Sequence, residues 1–558
     1  MKKRKGKFRD ENFSEAKAIT GDSNHITFAS SLNAHGTYET MRFVLRLSPV
    51  NHELLNSLNP KTYLAQDISP EEIRSYSTYI HETIHWWQHM GSTSGLLFSL
   101  SYLAQFYSTM SHLRKVLENF GAKKSLLRWT DEMLVNMSAE DQIDLSDANI
   151  AVNNAIDIEF YKAYAFTPKE NIRTIFNDVH FESIGHSYNI AYANLVNVIA
   201  ETIDADFSIL PDIRVWEDHF SYLRNNRHEG FYWDSPVHVP PIGLRAIFEG
   251  QARFSQLQFL NGVIGNQYSC EDLRDLGYFE GIYVEAFEVF LNLSDSAWPK
   301  NFDDPVIGLF LLICDIAINP TRGFPLDIED YKNFIEDVDV GVRFHKLCLS
   351  IEGLPHLKES IHQYSKDEYF SFSRQICVKA GYDAPLQGLE AIERWRTTSE
   401  DFKNLMEEHR TFRFDLTNMP VRVFLSHFVS FSIDKLERPE FFCWPGKFMA
   451  GRHTNEEVAE FWLRHLSLFS DRPEKTGVYP RDWPDRDDAD IREMFLNFYN
   501  SVVLYDLTRQ WILLDGPFIR DYRWLVENYS QEKADEWSNN IFSSVYGTDL
   551  SDFEIIQP

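Results

Sequence analysis

Two imidazoles and a carboxylate stand in the stretch Ser77-Thr-Tyr-Ile-His-Glu-Thr-Ile-His-Trp-Trp-Gln-His89, as the pentapeptide His81-Glu82-Thr83-Ile84-His85. On a helix, residues four apart lie on one face, so His81 and His85 can both reach a single Zn²⁺. Glu82 beside them can then take a proton from a water polarised by that ion. The chemistry this spacing suits is hydrolysis of a carbonyl compound by metal-activated water. Glu82 is the only charged residue between Ile80 and Gln88. The plainer alternative is an amphipathic helix whose histidines only hydrogen-bond in a polar seam.

Two histidines do not complete a catalytic zinc site, which takes three protein ligands and keeps a position open. His89 continues the four-residue series, but eight residues of straight helix carry it about 12 Å from His81. A third histidine six residues after His85 is absent, because position 91 is Gly. A carboxylate from a second helix solves the problem better, and Glu249 is the leading choice. It interrupts the apolar run Ala246-Ile-Phe248, where a carboxylate is costly to bury without a cation. Gly250 and Ala252 leave room for close approach by the motif helix, and Arg253 follows one turn on. The rival is Glu201, in the acid-rich Val198-Ile-Ala-Glu-Thr-Ile-Asp-Ala-Asp206, where Asp204 or Asp206 could instead support the histidines from behind.

His81 to His85, with Glu249-Gly-Gln-Ala252 downstream, resembles the gluzincins, the metallopeptidases that combine HExxH with a downstream helical Glu. The resemblance covers those residues and not the rest of the chain. It implies a zincin-like catalytic core in which His81, His85 and Glu249 bind zinc and Glu82 is general base and then general acid. A peptide or protein would be the substrate. For the oxyanion, Tyr278, Tyr283, His228, His238 and Arg253 are candidate donors.

These side chains need elements to position them. Ser69 can cap a helix, Pro70 suits its first position and Glu72 completes a capping box, so the spacing predicts a helix from here to about His89 or Met90. Gly91 suits the stop, and an apolar helix follows around Leu96 to Phe106. Ile73, Tyr76, Ile80, Ile84 and Trp87 form one apolar stripe, which leaves the motif histidines at its edge, shielded on one side and open to a cleft on the other. Upstream, His25 to Ser30 and Met41 to Leu47 read as strands of a small sheet. Downstream, helices are expected over Asn189 to Phe207, Leu244 to Leu260 and Phe279 to Leu291, with more beyond Pro299. Ser470 to Ala489, rich in proline and charge, reads as a surface loop.

The expected fold is therefore α+β and predominantly helical. Residues 1–68 would form a tail and small β region, 69–298 the catalytic core, and 299–558 a helical C-terminal region for substrate recognition or regulation. With 558 residues the chain can bury large cores, and its net charge of −29 opposes contact with nucleic acid or anionic lipid. The basic stretch Met1 to Arg9 reads as a polar tail. No apolar signal segment follows it, so a cytoplasmic protein is expected. Val306 to Ile318 is shorter than the ~20 residues that a spanning helix needs and contains Asp315, which makes it a buried core helix. Five scattered cysteines with no CxxC pair read as reduced packing thiols. The functional alternative from another class is a non-catalytic helical interaction or sensor protein with a structural metal, for which Phe441-Phe-Cys-Trp-Pro445 could supply a partner surface.

Overall fold

A computed structural model describes residues 35–57, 68–136, 143–265, 267–451, 455–473 and 475–557. The expected strand at His25 to Ser30 and the basic tail lie outside these residues. The chain is 66% helix with a small sheet, which bears out a predominantly helical α+β reading. The strands are β1 (Gly36–Glu39), β2 (Val44–Leu47), β3 (Lys123–Lys124), β4 (Phe469–Arg472), β5 (Lys475–Pro480) and β6 (Glu554–Ile555). Four of them form one sheet in the order β1-β2-β4-β5, and β3 pairs with β6.

The sheet is only half N-terminal. β1 and β2 form an antiparallel hairpin that pairs Gly36 with Leu47, and β2 then runs parallel to β4 at Leu45 and Ser470. β4 and β5 thus come from the segment read as a surface loop. Its charges hid the alternation: Phe469 and Asp471 point inward and Ser470 and Arg472 outward. Asp471 can be buried because it accepts from the Leu47 N–H at 3.1 Å and contacts His52 Nε2 at 2.7 Å. Arg46, also buried, pairs with Glu39 at 2.7 Å and donates to the carbonyls of Gly477 and Trp524, so it stitches the two halves of the sheet together.

The motif helix runs Pro70–Gly91 with Ser69 as its cap and the capping box formed, and the next helix spans Thr93–Tyr107. From Ile80 to Gly91 every residue is buried, so this half of the helix is engulfed and not covered along its apolar stripe alone. The reason is packing on several sides, by the helices Leu244–Val263, Met419–Glu437 and Thr93–Tyr107 and by β1. Trp87 sits among Phe431, Phe441, Phe442 and Trp462, and its indole N–H donates to the His465 carbonyl at 2.8 Å. The aromatic run at 441–445 is therefore core and not an exposed partner surface.

Residues 306–317 fall in the helix Pro305–Ala317, with Ile318 as its C-terminal cap; its interior is buried, and among the described residues no helix is long and apolar enough to cross a membrane. Its one acid, Asp315, meets Lys435 Nζ at 2.5 Å and accepts from the Tyr369 hydroxyl at 2.9 Å, all three residues being buried. Lys435→Met leaves that carboxylate without its cation and is expected to cost about 3–5 kcal/mol in chemical unfolding. Asp315→Leu combined with Lys435→Met should recover most of the loss, since an apolar pair leaves no charge stranded. A double variant no more stable than the single one would contradict this.

Candidate metal centre

His81, His85 and Glu249 come together. The two Nε2 atoms lie 3.1 Å apart, and Glu249 Oε2 lies 3.4 Å from each of them. Among the described residues this is the one group of three or more His, Cys, Asp or Glu side chains placed to hold a metal ion. Glu249 arrives on the helix Leu244–Val263, which packs along the motif helix. Gly250 plays another part than expected: a Cβ there would meet Ala286 and Phe310 at 3.2 Å, so it admits those neighbours and not the motif helix.

Whether the residues suit a cation is decided by their atoms. Glu249 Oε2 is buried and makes no hydrogen bond among the described residues, although it lies against two imidazole nitrogens. Ligands at about 2.0–2.1 Å in tetrahedral array stand about 3.3 Å from one another. The observed edges of 3.1, 3.4 and 3.4 Å match that spacing. Burial opposes a charge on His85, but Glu249 and Glu82 outweigh it and lift His85 to about 9. Burial pushes His81 down to about 4, with Glu249 only partly offsetting it. Burial would also raise Glu249, yet the His85 charge and its contacts to both histidines hold it well below the usual carboxylate range.

His85 Nδ1 contacts Gln88 Oε1 at 2.8 Å, and Gln88 Nε2 donates to the Phe248 carbonyl and to Gln251 Oε1, each at 2.9 Å. His81 Nδ1 is buried without a hydrogen-bond partner among the described residues. Glu82 is buried too, and it packs under β1: a Cβ on Gly36 would come within 2.8 Å of Glu82 Cγ and 2.9 Å of Oε1. Only a glycine lets the strand approach the carboxylate this closely. Sequence reasoning missed Gly36 because the contact depends on the sheet, and it gave Gln88 no role because the Phe248 carbonyl lies on a distant helix.

The rival and the accessory candidates separate clearly. Glu201 is exposed at the end of the helix Ile184–Ile203 and bonds Asn197. Asp204 spends its carboxylate on the backbone N–H groups of 208–210. His89 is buried between Tyr38 and Phe248, with ring centroids 5.1 Å away in each case. Of the proposed donors, Tyr283 lies edge-on to His81 at 5.9 Å, and Arg253 stacks on the Tyr283 ring at 3.9 Å. Tyr278 lies farther from Arg253, at 6.0 Å. His238 is exposed and pairs with Glu229, while His228 rests on Phe231. All five cysteines are buried, and burial pushes Cys270 and Cys377 up to about 12, which suits packing rather than nucleophilic use.

No family model matches the chain, and neither the curated proteins nor the solved structures contain a match.

Proposed function

We propose that the protein is a zinc-dependent peptidase with a zincin-like, gluzincin-type site, in which His81, His85 and Glu249 hold the metal and Glu82 is the catalytic base. The observation that carries this reading is the triangle of His81 Nε2, His85 Nε2 and Glu249 Oε2, with edges of 3.1 to 3.4 Å and a buried carboxylate oxygen that makes no hydrogen bond among the described residues. Zinc would supply Lewis acidity there, polarising a carbonyl and easing ionisation of water. Glu82 takes the proton of the attacking water as the new C–O bond forms, then delivers it to the amide nitrogen as the C–N bond breaks. Tyr283, edge-on to His81, and Arg253, stacked on the Tyr283 ring, are the candidate donors to the oxyanion.

A structural metal site would use four protein ligands. The cluster among the described residues has three, and the Glu249 side chain is 17% exposed, both of which favour a site that admits water. The test is digestion of an unstructured peptide mixture by the zinc-loaded chain, with cleavage abolished by chelation and restored by zinc. Cleavage that survives full chelation would sink the proposal. An intracellular protease with one protein target belongs to the same proposal, and folded proteins left intact while peptides are cut would argue against such a target.

Gly36→Ala is expected to lower turnover by about 10²-fold, the cost of misplacing a reacting group by about 1 Å, while zinc content is unchanged. The added methyl would meet the movable Glu82 side chain and Thr78 Cγ2, so the base shifts rather than the fold. Wild-type turnover in Gly36→Ala would show that Glu82 needs no such placement.

A further inference from the structure

The Gln88 amide has a forced orientation. The Phe248 carbonyl can only accept, so the group 2.9 Å from it must be the Gln88 NH₂, which also donates to Gln251 Oε1 at 2.9 Å. The amide oxygen is thereby turned toward His85 Nδ1 at 2.8 Å, and an oxygen there requires a proton on that nitrogen. A neutral His85 then presents a bare lone pair at Nε2, the atom that belongs to the triangle. Gln88 is only 3% exposed, so water has little room to replace these bonds.

We infer that Gln88 is a positioning residue of the metal centre, one that fixes His85 in the ligating tautomer and ties the motif helix to the backbone beside Glu249. This rests on the zinc reading above. The tie is direct, because Phe248 immediately precedes Glu249 and Gln251 follows two residues later on the same helix. One side chain thus sets the direction of one ligand and the distance to another. His81, whose Nδ1 has no hydrogen-bond partner among the described residues, is not held in this way.

The experiment is zinc affinity of the full chain by competition with a chromophoric chelator, for the wild type, Gln88→Met, Gln88→Glu and Gln251→Met. Gln88→Met keeps the bulk and removes every bond, and should bind zinc ~10–100-fold more weakly, the usual cost of losing such an outer partner. Gln88→Glu keeps an acceptor for His85 but loses the donors to Phe248 and Gln251, so it should fall between Gln88→Met and the wild type. Gln251→Met should stay near wild type, since the Phe248 carbonyl still orients the amide. Unfolding of the zinc-free chains gives the control: a purely structural role would lower their stability and leave zinc affinity unmoved. Equal affinity in wild type, Gln88→Glu and Gln88→Met overturns the role of Gln88 alone. A wild-type chain that takes up no zinc overturns the metal reading, and this role with it. Should Gln88→Met not fold, a Gln88→Glu chain that binds as tightly as wild type contradicts the tie.

Discussion

Glu82→Gln is expected to purify with the same zinc content as wild type and to lose hydrolysis by ~10²–10⁴-fold, the range that a positioned general base contributes. The amide is nearly isosteric with the carboxylate, so the tight packing of Glu82 under Gly36 is kept while the basic oxygen is lost. Because Glu82 is not one of the three triangle groups, metal should survive. Elemental analysis beside turnover of the same preparation checks both halves. If the variant turns over at the wild-type rate, Glu82 is not the base. If it loses zinc as well, Glu82 serves as a ligand and the assignment of roles fails.

The second large effect concerns the ligands. His81→Ala, His85→Ala and Glu249→Ala should each weaken zinc binding by more than the ~10–100-fold that outer partners cost, since each removes one of three direct contacts. Glu201→Ala is the matched control, an exposed acid on another helix, and should bind zinc as wild type does. Glu249→Gln refines the comparison, because it keeps a carbonyl oxygen near the two Nε2 atoms but removes the charge. Affinity intermediate between Glu249→Ala and wild type is expected. Equal binding in Glu249→Ala and wild type would return the third ligand to the open question that the sequence alone leaves.

Local signals explain what could be read in advance. Ser69, Pro70 and Glu72 carry the start of the motif helix in their own side chains, so that boundary was legible and its capping box is formed. Glu249 was legible for a different reason: a charged residue in an apolar helical run demands a partner, and His81 and His85 were in need of one. What depends on distant chain could not be read in this way. β4 lies beside β2 across more than four hundred residues, and Asp471 breaks its apolar alternation because its partners, Leu47 and His52, come from the other end of the chain. Gly36 carries no local sign of its contact with Glu82. The apolar stripe of the motif helix was legible, but not the burial of its remaining faces, because that depends on distant partners such as the Phe248 carbonyl that accepts from Gln88.

The most direct test is diffraction at the zinc absorption edge from crystals of the full chain grown with zinc and without chelators. The account predicts a single strong anomalous peak about 2.0–2.2 Å from His81 Nε2, His85 Nε2 and a Glu249 oxygen. No peak between these three residues, or a peak held by other ligands, would contradict it.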